Sequence, residues 1–223
     1  MESGVKPDPH RFRFSAALAV ATLLAANIAA AAELHLAIKS NKGEAVADAV
    51  VSLVPLDAPV PPPASSTPNE IAQQNQEYAS YVTVVQAGST VMFPNRDTVQ
   101  HHVYSLSKAK KFELPLYNPG AAESFVFDVS GLVTLGCNIH DWMLAYLIVV
   151  PTPYFAKSDA LGAATVSAPA GRYQLQLWHP RLATPLTEEV TLADGVAARR
   201  EFTLVLKADR RIRRGPEGKR SGY

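Results

Sequence analysis

From Glu33 onward the chain is written in short β-branched runs, each cut by a turn signal before a helix of useful length could form. Glu33–Lys39 alternates, with Leu34, Leu36 and Ile38 on one face. Ala47–Val54 follows after an Asn41-Lys-Gly43 turn. Further runs lie at Tyr81–Val85, Thr90–Phe93, His101–Leu106, Ser124–Val129, Leu132–Leu135 and Met143–Val150, then at Tyr173–Trp178 and Arg200–Val205. Gly88, Pro94-Asn95, Pro119-Gly120 and Ser130-Gly131 separate the central ones. Many short strands with this punctuation predict an all-β sandwich or barrel. The only helical expectation is one short helix near Asn69–Glu77. Seventeen prolines against 12 glycines suit a loop-rich β protein. A 48% hydrophobic, 18% charged composition excludes a disordered polar chain, a polytopic membrane protein and a collagen-like repeat.

The first 32 residues have another character. Arg11 and Arg13 precede an uncharged run from Phe14 to Ala32 that ends in Ala30-Ala31-Ala32. A basic start, an apolar middle and a small-residue exit predict a cleaved secretory signal, hence a periplasmic or secreted protein without a permanent membrane span. A retained anchor is the alternative, since 19 uncharged residues could nearly cross a bilayer. Residues 58–69 (APVPPPASSTPN) form a proline-rich linker. The two strands in 33–57 cannot stand alone, because an isolated hairpin is marginal in water. They either pair with 152–207, leaving 70–151 as an insertion, or add to the central domain.

The formal net charge of +1 hides an asymmetry: residues 33–207 carry 12 Lys/Arg against 16 Asp/Glu, whereas 210–220 hold six basic side chains. A mildly acidic body does not present the basic folded face of a nucleic-acid binder. The segment 208–223 is expected to be disordered and basic, either simply solvated or steering the chain toward an acidic partner or membrane.

The chemistry concentrates in Gly136-Cys137-Asn138-Ile139-His140-Asp141-Trp142-Met143, between two strand runs. Cys137, His140 and Met143 share one short loop at C-x2-H-x2-M spacing, and His101-His102 lies upstream. A thiolate, two imidazoles and a thioether form a soft donor set that selects copper, and His2Cys with a weak axial Met is the arrangement of electron-transfer copper. Cys137 is the single cysteine, so no intramolecular disulfide competes for it. It could otherwise be a small buried apolar residue. Zinc on Cys and two His is conceivable, but the Met argues against it. No hydrolase signature surrounds Cys137, so a catalytic Cys–His pair is not expected. Trp142 and Leu144 are either core or an apolar docking patch around His140. His179 reads as a strand-end residue and His35 as an outward strand position.

These residues resemble the type 1 copper proteins of the cupredoxin family, with the ligand-loop spacing of amicyanin. The resemblance covers roughly 70–150. It implies a Greek-key β-sandwich holding one type 1 copper on His101, Cys137, His140 and Met143, with His102 as the alternate to His101. It also implies single-electron transfer, with a c-type cytochrome or an amine dehydrogenase as partner, and no enzymatic activity. Family members usually carry Asn where this chain has His102, and prolines where it has Ile139 and Asp141. The flanks, Gly43–Leu53 and Gly171–Leu175, resemble carboxypeptidase regulatory-like or transthyretin-like modules, implying a second, smaller Ig-like or transthyretin-like β-sandwich. The whole is similar to periplasmic proteins labelled methylamine utilisation proteins. Two other functions fit the residues: a copper-binding or copper-delivery module, and a metal-free interaction domain.

Overall fold

A computed structural model describes residue 1, residues 31–63 and residues 68–209. Nearly all of the expected signal, linker residues 64–67 and the basic tail from residue 210 lie outside the described residues. The described chain is all-β. Two strands precede the linker, β1 (Ala32–Ser40) and β2 (Val50–Pro55). After it come three two-residue strands, β3 (Asn69–Glu70), β4 (Gln73–Gln74) and β5 (Glu77–Tyr78). The central run continues with β6 (Val82–Gln86), β7 (Ser89–Pro94), β8 (His101–Leu106) and β9 (Lys111–Tyr117). It ends with β10 (Ala122–Phe127), β11 (Gly131–Gly136) and β12 (Leu144–Val150). The last five are β13 (Phe155–Lys157), β14 (Ala163–Ala168), β15 (Gly171–Trp178), β16 (Leu186–Leu192) and β17 (Ala198–Leu204).

The strands form two separate cores. In the central part, a five-stranded sheet ordered β6-β12-β11-β8-β9 faces a three-stranded sheet ordered β10-β7-β3. The inward residues are apolar at every second position, as a strand's period of two requires. Phe93, Val103, Phe127, Val133, Leu135 and Leu147 are all essentially inaccessible and form one cluster. The flanking parts build the other core from sheets ordered β14-β1-β17 and β13-β2-β15-β16. Leu34, Ile38, Leu53, Leu175, Leu177 and Leu204 fill it. The two N-terminal strands form no hairpin with each other but enter different sheets and pair with strands beyond residue 152: β1 runs parallel to β17, with Ile38 opposite Phe202, and β2 is antiparallel to β15, with Leu53 opposite Leu175. A third cluster, Val50, Val82, Ile148 and Val150 with Trp178 and Tyr146 beside it, joins the two parts.

The expected helix near Asn69–Glu77 is not formed; β3, β4 and β5 occupy the segment. Its apolar residues, Ile71 and Ala72, are too few for a helical stripe, and the main chain is claimed sideways instead. Arg96 N–H donates to the Gln73 carbonyl (2.9 Å), and Ile71 N–H donates to that of Met92 (2.9 Å).

Leu175 is fully buried in the flanking core. Leu175→Ala is expected to cost about 2–5 kcal/mol of stability through lost burial and the cavity left behind. Chemical denaturation followed by far-ultraviolet circular dichroism measures this, and a loss below about 1 kcal/mol would contradict the packing described.

Candidate metal centre

Alternation along β8 separates its two adjacent histidines. Successive strand residues point to opposite faces, so His101 and Val103 turn inward while His102 and Tyr104 share the outer face, their rings 5.7 Å apart. A register shift against β9 between His101 and Val103 accommodates the local bend. β11 lies between β8 and β12 in the sheet, pairing Gly136 with Tyr104 on one side and with Leu144 on the other. The loop 137–143 that joins β11 to β12 is therefore held against the start of β8.

His101, Cys137 and His140 converge there, with one potential ligand atom from each lying within 4.8 Å of the others. Cys137 Sγ is 3.7 Å from His140 Nδ1, and the rings of His101 and His140 are 5.0 Å apart. Donors sharing a first-row metal ion at roughly 2.0–2.3 Å must stand on the order of 3.5–4.5 Å apart, so the trio is near bonding geometry. His101 is fully buried, and its Nδ1 has no hydrogen-bond partner. A buried polar atom without a partner is costly, and here it sits among donors that a metal ion would satisfy. His101 Nε2 is bonded to Asp97 Oδ2 at 2.7 Å, which makes Nε2 the protonated nitrogen and leaves the Nδ1 lone pair for a ligand. Met143 is buried in the same cluster as Cys137, and its N–H donates to the His140 carbonyl (2.9 Å). Thiolate, imidazole and thioether are the donors that suit copper, so the residues present fit that group.

His102 is placed elsewhere. Its Nε2 lies 2.8 Å from Glu113 Oε1 and 3.4 Å from Asn138 Nδ2, so it links β8 to the Cys137 loop from outside the trio. Trp142 is half-buried, its ring 5.4 Å from that of His140, and its indole N–H donates to the Gln76 carbonyl (2.8 Å). Leu144 is half-buried and, with Trp142, lines a groove of about 570 Å³ that reaches Cys137 and Met143. His179 follows β15, is buried and accepts from Arg181 N–H at Nδ1 (3.1 Å). His35 lies on the exposed side of β1 beside Thr165 (3.1 Å).

Three supporting residues went unread in the sequence. Asp97 also accepts from the N–H groups of Asn75 (2.6 Å) and Gln76 (2.8 Å). Burial raises its carboxyl, but the bonds from Gln76, His101 and Asn75 outweigh this and hold it below the ordinary carboxylate value. Its spacing, four residues before a candidate ligand, was the available signal. Tyr78 donates to the carbonyl of Gly136, the residue before Cys137 (3.0 Å). At Gly136 a Cβ would stand 2.7 Å from the Tyr104 ring, so any larger residue there would have to displace that ring.

No family model matches the sequence, and no curated protein sequence does. Among solved structures, the chain is similar to a purple cupredoxin from Nitrosopumilus maritimus, 23% identical over 37% of this chain and 99% of that one, TM-score 0.33. It is similar to a reduced Cu(I) form, at pH 4, of a variant of amicyanin, 21% identical over 39% of this chain and 86% of that one, TM-score 0.35. It is also similar to a Cu-containing nitrite reductase from Thermus scotoductus SA-01, 20% identical over 44% of this chain and 25% of that one, TM-score 0.37.

Burial, and then the charge of Cys137, push the Tyr78 phenol well above its usual value. Burial raises Tyr117 too; a bond to Gln73 offsets part of this, and Cys137 and Glu123 add to the rise. A group whose pKa is raised on folding stabilises the fold below its unfolded pKa, about 10 for tyrosine, and loses that contribution as pH climbs through the folded value. Of the eight tyrosines, Tyr78 and Tyr117 are expected to stay protonated at pH values where exposed tyrosines ionise, with stability falling above about pH 10. Ultraviolet titration of tyrosinate checks this; ionisation of all eight in a folded protein would contradict it.

Proposed function

We propose that this chain is an exported one-electron carrier that holds one copper ion as a type 1 centre on His101, Cys137, His140 and Met143. The reading rests on one observation: the buried, unpartnered Nδ1 of His101 beside the Cys137–His140 pair. Bound copper would supply a one-electron couple. Cys137, buried among apolar side chains at the floor of the groove that Trp142 and Leu144 line, would provide the thiolate. His101, fixed by Asp97, and His140, backed by Trp142, provide imidazoles from opposite ends of the site. Met143 would add a weak thioether donor, whose strength would tune the potential. His140, the less buried of the two histidines, is the electron port, with Trp142 and Leu144 as the docking patch.

In this reading the chain is a carrier and not an enzyme. Its partner is a periplasmic redox protein such as a c-type cytochrome or an amine dehydrogenase. Cleavage at Ala30-Ala31-Ala32 releases it into the periplasm. Residues 70–151 form the copper domain, inserted between the two stretches, 33–57 and 152–207, of a smaller transthyretin-like sandwich.

Copper delivery is the second reading. The groove that opens onto Cys137 and Met143 favours it, since a receiving protein needs access to those sulfurs.

Addition of one equivalent of Cu(II) is expected to give an intense blue charge-transfer band that Cys137→Ala abolishes. A colourless complex, or a band that survives Cys137→Ala, would overturn the carrier. Release of Cu(I) to a chelator on reduction, in place of reversible cycling, would favour delivery.

A further inference from the structure

The hairpin β4–β5 belongs to neither sheet that encloses the central core; its strands pair with each other, and Gln73 forms one isolated bridge with Asn95. Its two-residue turn, Asn75–Gln76, has φ of +57° at both positions. That is the mirror-image turn favoured between antiparallel strands, and its second position ordinarily calls for glycine. A glutamine held there is strained, and such strain persists only where the surroundings impose it.

The surroundings are the two halves of the metal site. The left-handed pair directs two successive N–H groups onto one carboxylate: Asn75 to Asp97 Oδ1 and Gln76 to Asp97 Oδ2. The same Oδ2 holds His101 Nε2. On its other side, the Gln76 carbonyl accepts the Trp142 indole N–H, and the Trp142 ring packs against His140. Gln76 is thus bonded through its N–H to the support of one imidazole and through its C=O to the support of the other. Tyr78, two residues on, anchors the carbonyl preceding Cys137. Gln73, at the hairpin's other end, accepts the Tyr117 hydroxyl at Oε1 (2.5 Å), and Tyr117 is the register partner of His101.

We infer that the Asn75–Gln76 turn is the positioning element of the metal site, fixing the two imidazoles relative to each other through Asp97 and Trp142. The inference rests on the copper reading for its purpose. Its geometry is a property of the metal-free chain. A plain cap over the core would also bury the hairpin. It would not require one strained peptide to be shared between the supports of both histidines.

The test uses the full chain and two variants that each cut one side. Trp142→Phe keeps the ring on His140 and removes the indole N–H. Asp97→Asn keeps the side-chain shape and removes the charge that receives three N–H groups. Imidazole nitrogen resonances of the metal-free protein are read by NMR. Trp142→Phe, which does not touch His101, is expected to shift the His101 signals, and Asp97→Asn those of His140. Each variant is expected to weaken copper binding by about 10–100-fold and to alter the charge-transfer band. Gln76→Gly, which keeps both backbone bonds, is expected to retain the wild-type resonances and band.

Folded variants in which each substitution moves only its neighbouring histidine, with the copper band unchanged, would overturn the inference. Coupled shifts in a wild-type background that gives no copper band would overturn the copper reading while supporting the positioning role. If one variant fails to fold, the other still decides.

Discussion

Everything at the candidate site depends on one adjacency, β11 lying between β8 and β12. A sheet is built by main-chain hydrogen bonds that ignore side-chain chemistry, yet their register decides which side chains can meet. Gly136 opposite Tyr104 brings the end of β11 level with the third residue past His101. The loop that follows must then turn across the mouth of the sandwich, and its thiol and imidazole arrive beside an inward-facing histidine. Slipping β8 by a single residue would present His102 to the core and send His101 outward, because the period of a strand is two. Glu113 and Asn138, which receive His102 on the outer face, oppose that slip.

The second constraint is electrostatic. A buried imidazole, a buried thiol and a nearby carboxylate form a set of polar groups that apolar surroundings penalise unless each finds a partner. Asp97 meets that demand with three N–H donors, which is why it can sit close to the core as an ion. His101 Nδ1 does not meet it within the protein, and neither do His102 Nδ1 and Gln73 Nε2; of these three residues only His101 belongs to the group with Cys137 and His140. Such a cost is retained where something outside the chain relieves it.

The all-β class, most strand positions and the Cys137–His140 spacing were legible in the sequence, because alternation and loop spacing are local signals, whereas His101, far upstream, joined them only through the family resemblance. What escaped was set by tertiary pairing. β9 contains Pro115, which reads as a break, but β9 is the edge of its sheet, where a missing N–H costs no ladder bond. β14, Ala-Ala-Thr-Val-Ser-Ala, alternates perfectly in burial with side chains too small to register as a strand. In the stretch 69–77 the backbone groups of Ile71, Gln73, Asn75 and Gln76 are committed to Met92, Arg96 and Asp97, residues a local reading cannot bring near. The family resemblance puts His101 ahead of its alternate His102; the pairing of β8 shows them on opposite faces, with His101 beside Cys137 and His140 and His102 beside Glu113.

The parallel pairing of β1 with β17 carries a consequence for assembly. The first and last strands of the described chain lie side by side, and every strand of the central sandwich is synthesised between them. The central core can close as soon as β12 has emerged, whereas β2 must wait for β13 and β15, and β1 for β14 and, on its other edge, for β17 at the far end. Contacts of such long sequence separation form slowly, and exposed edges are where chains pair wrongly with one another. The flanking sandwich is therefore the part that closes last, around a central core that already carries His101, Cys137 and His140.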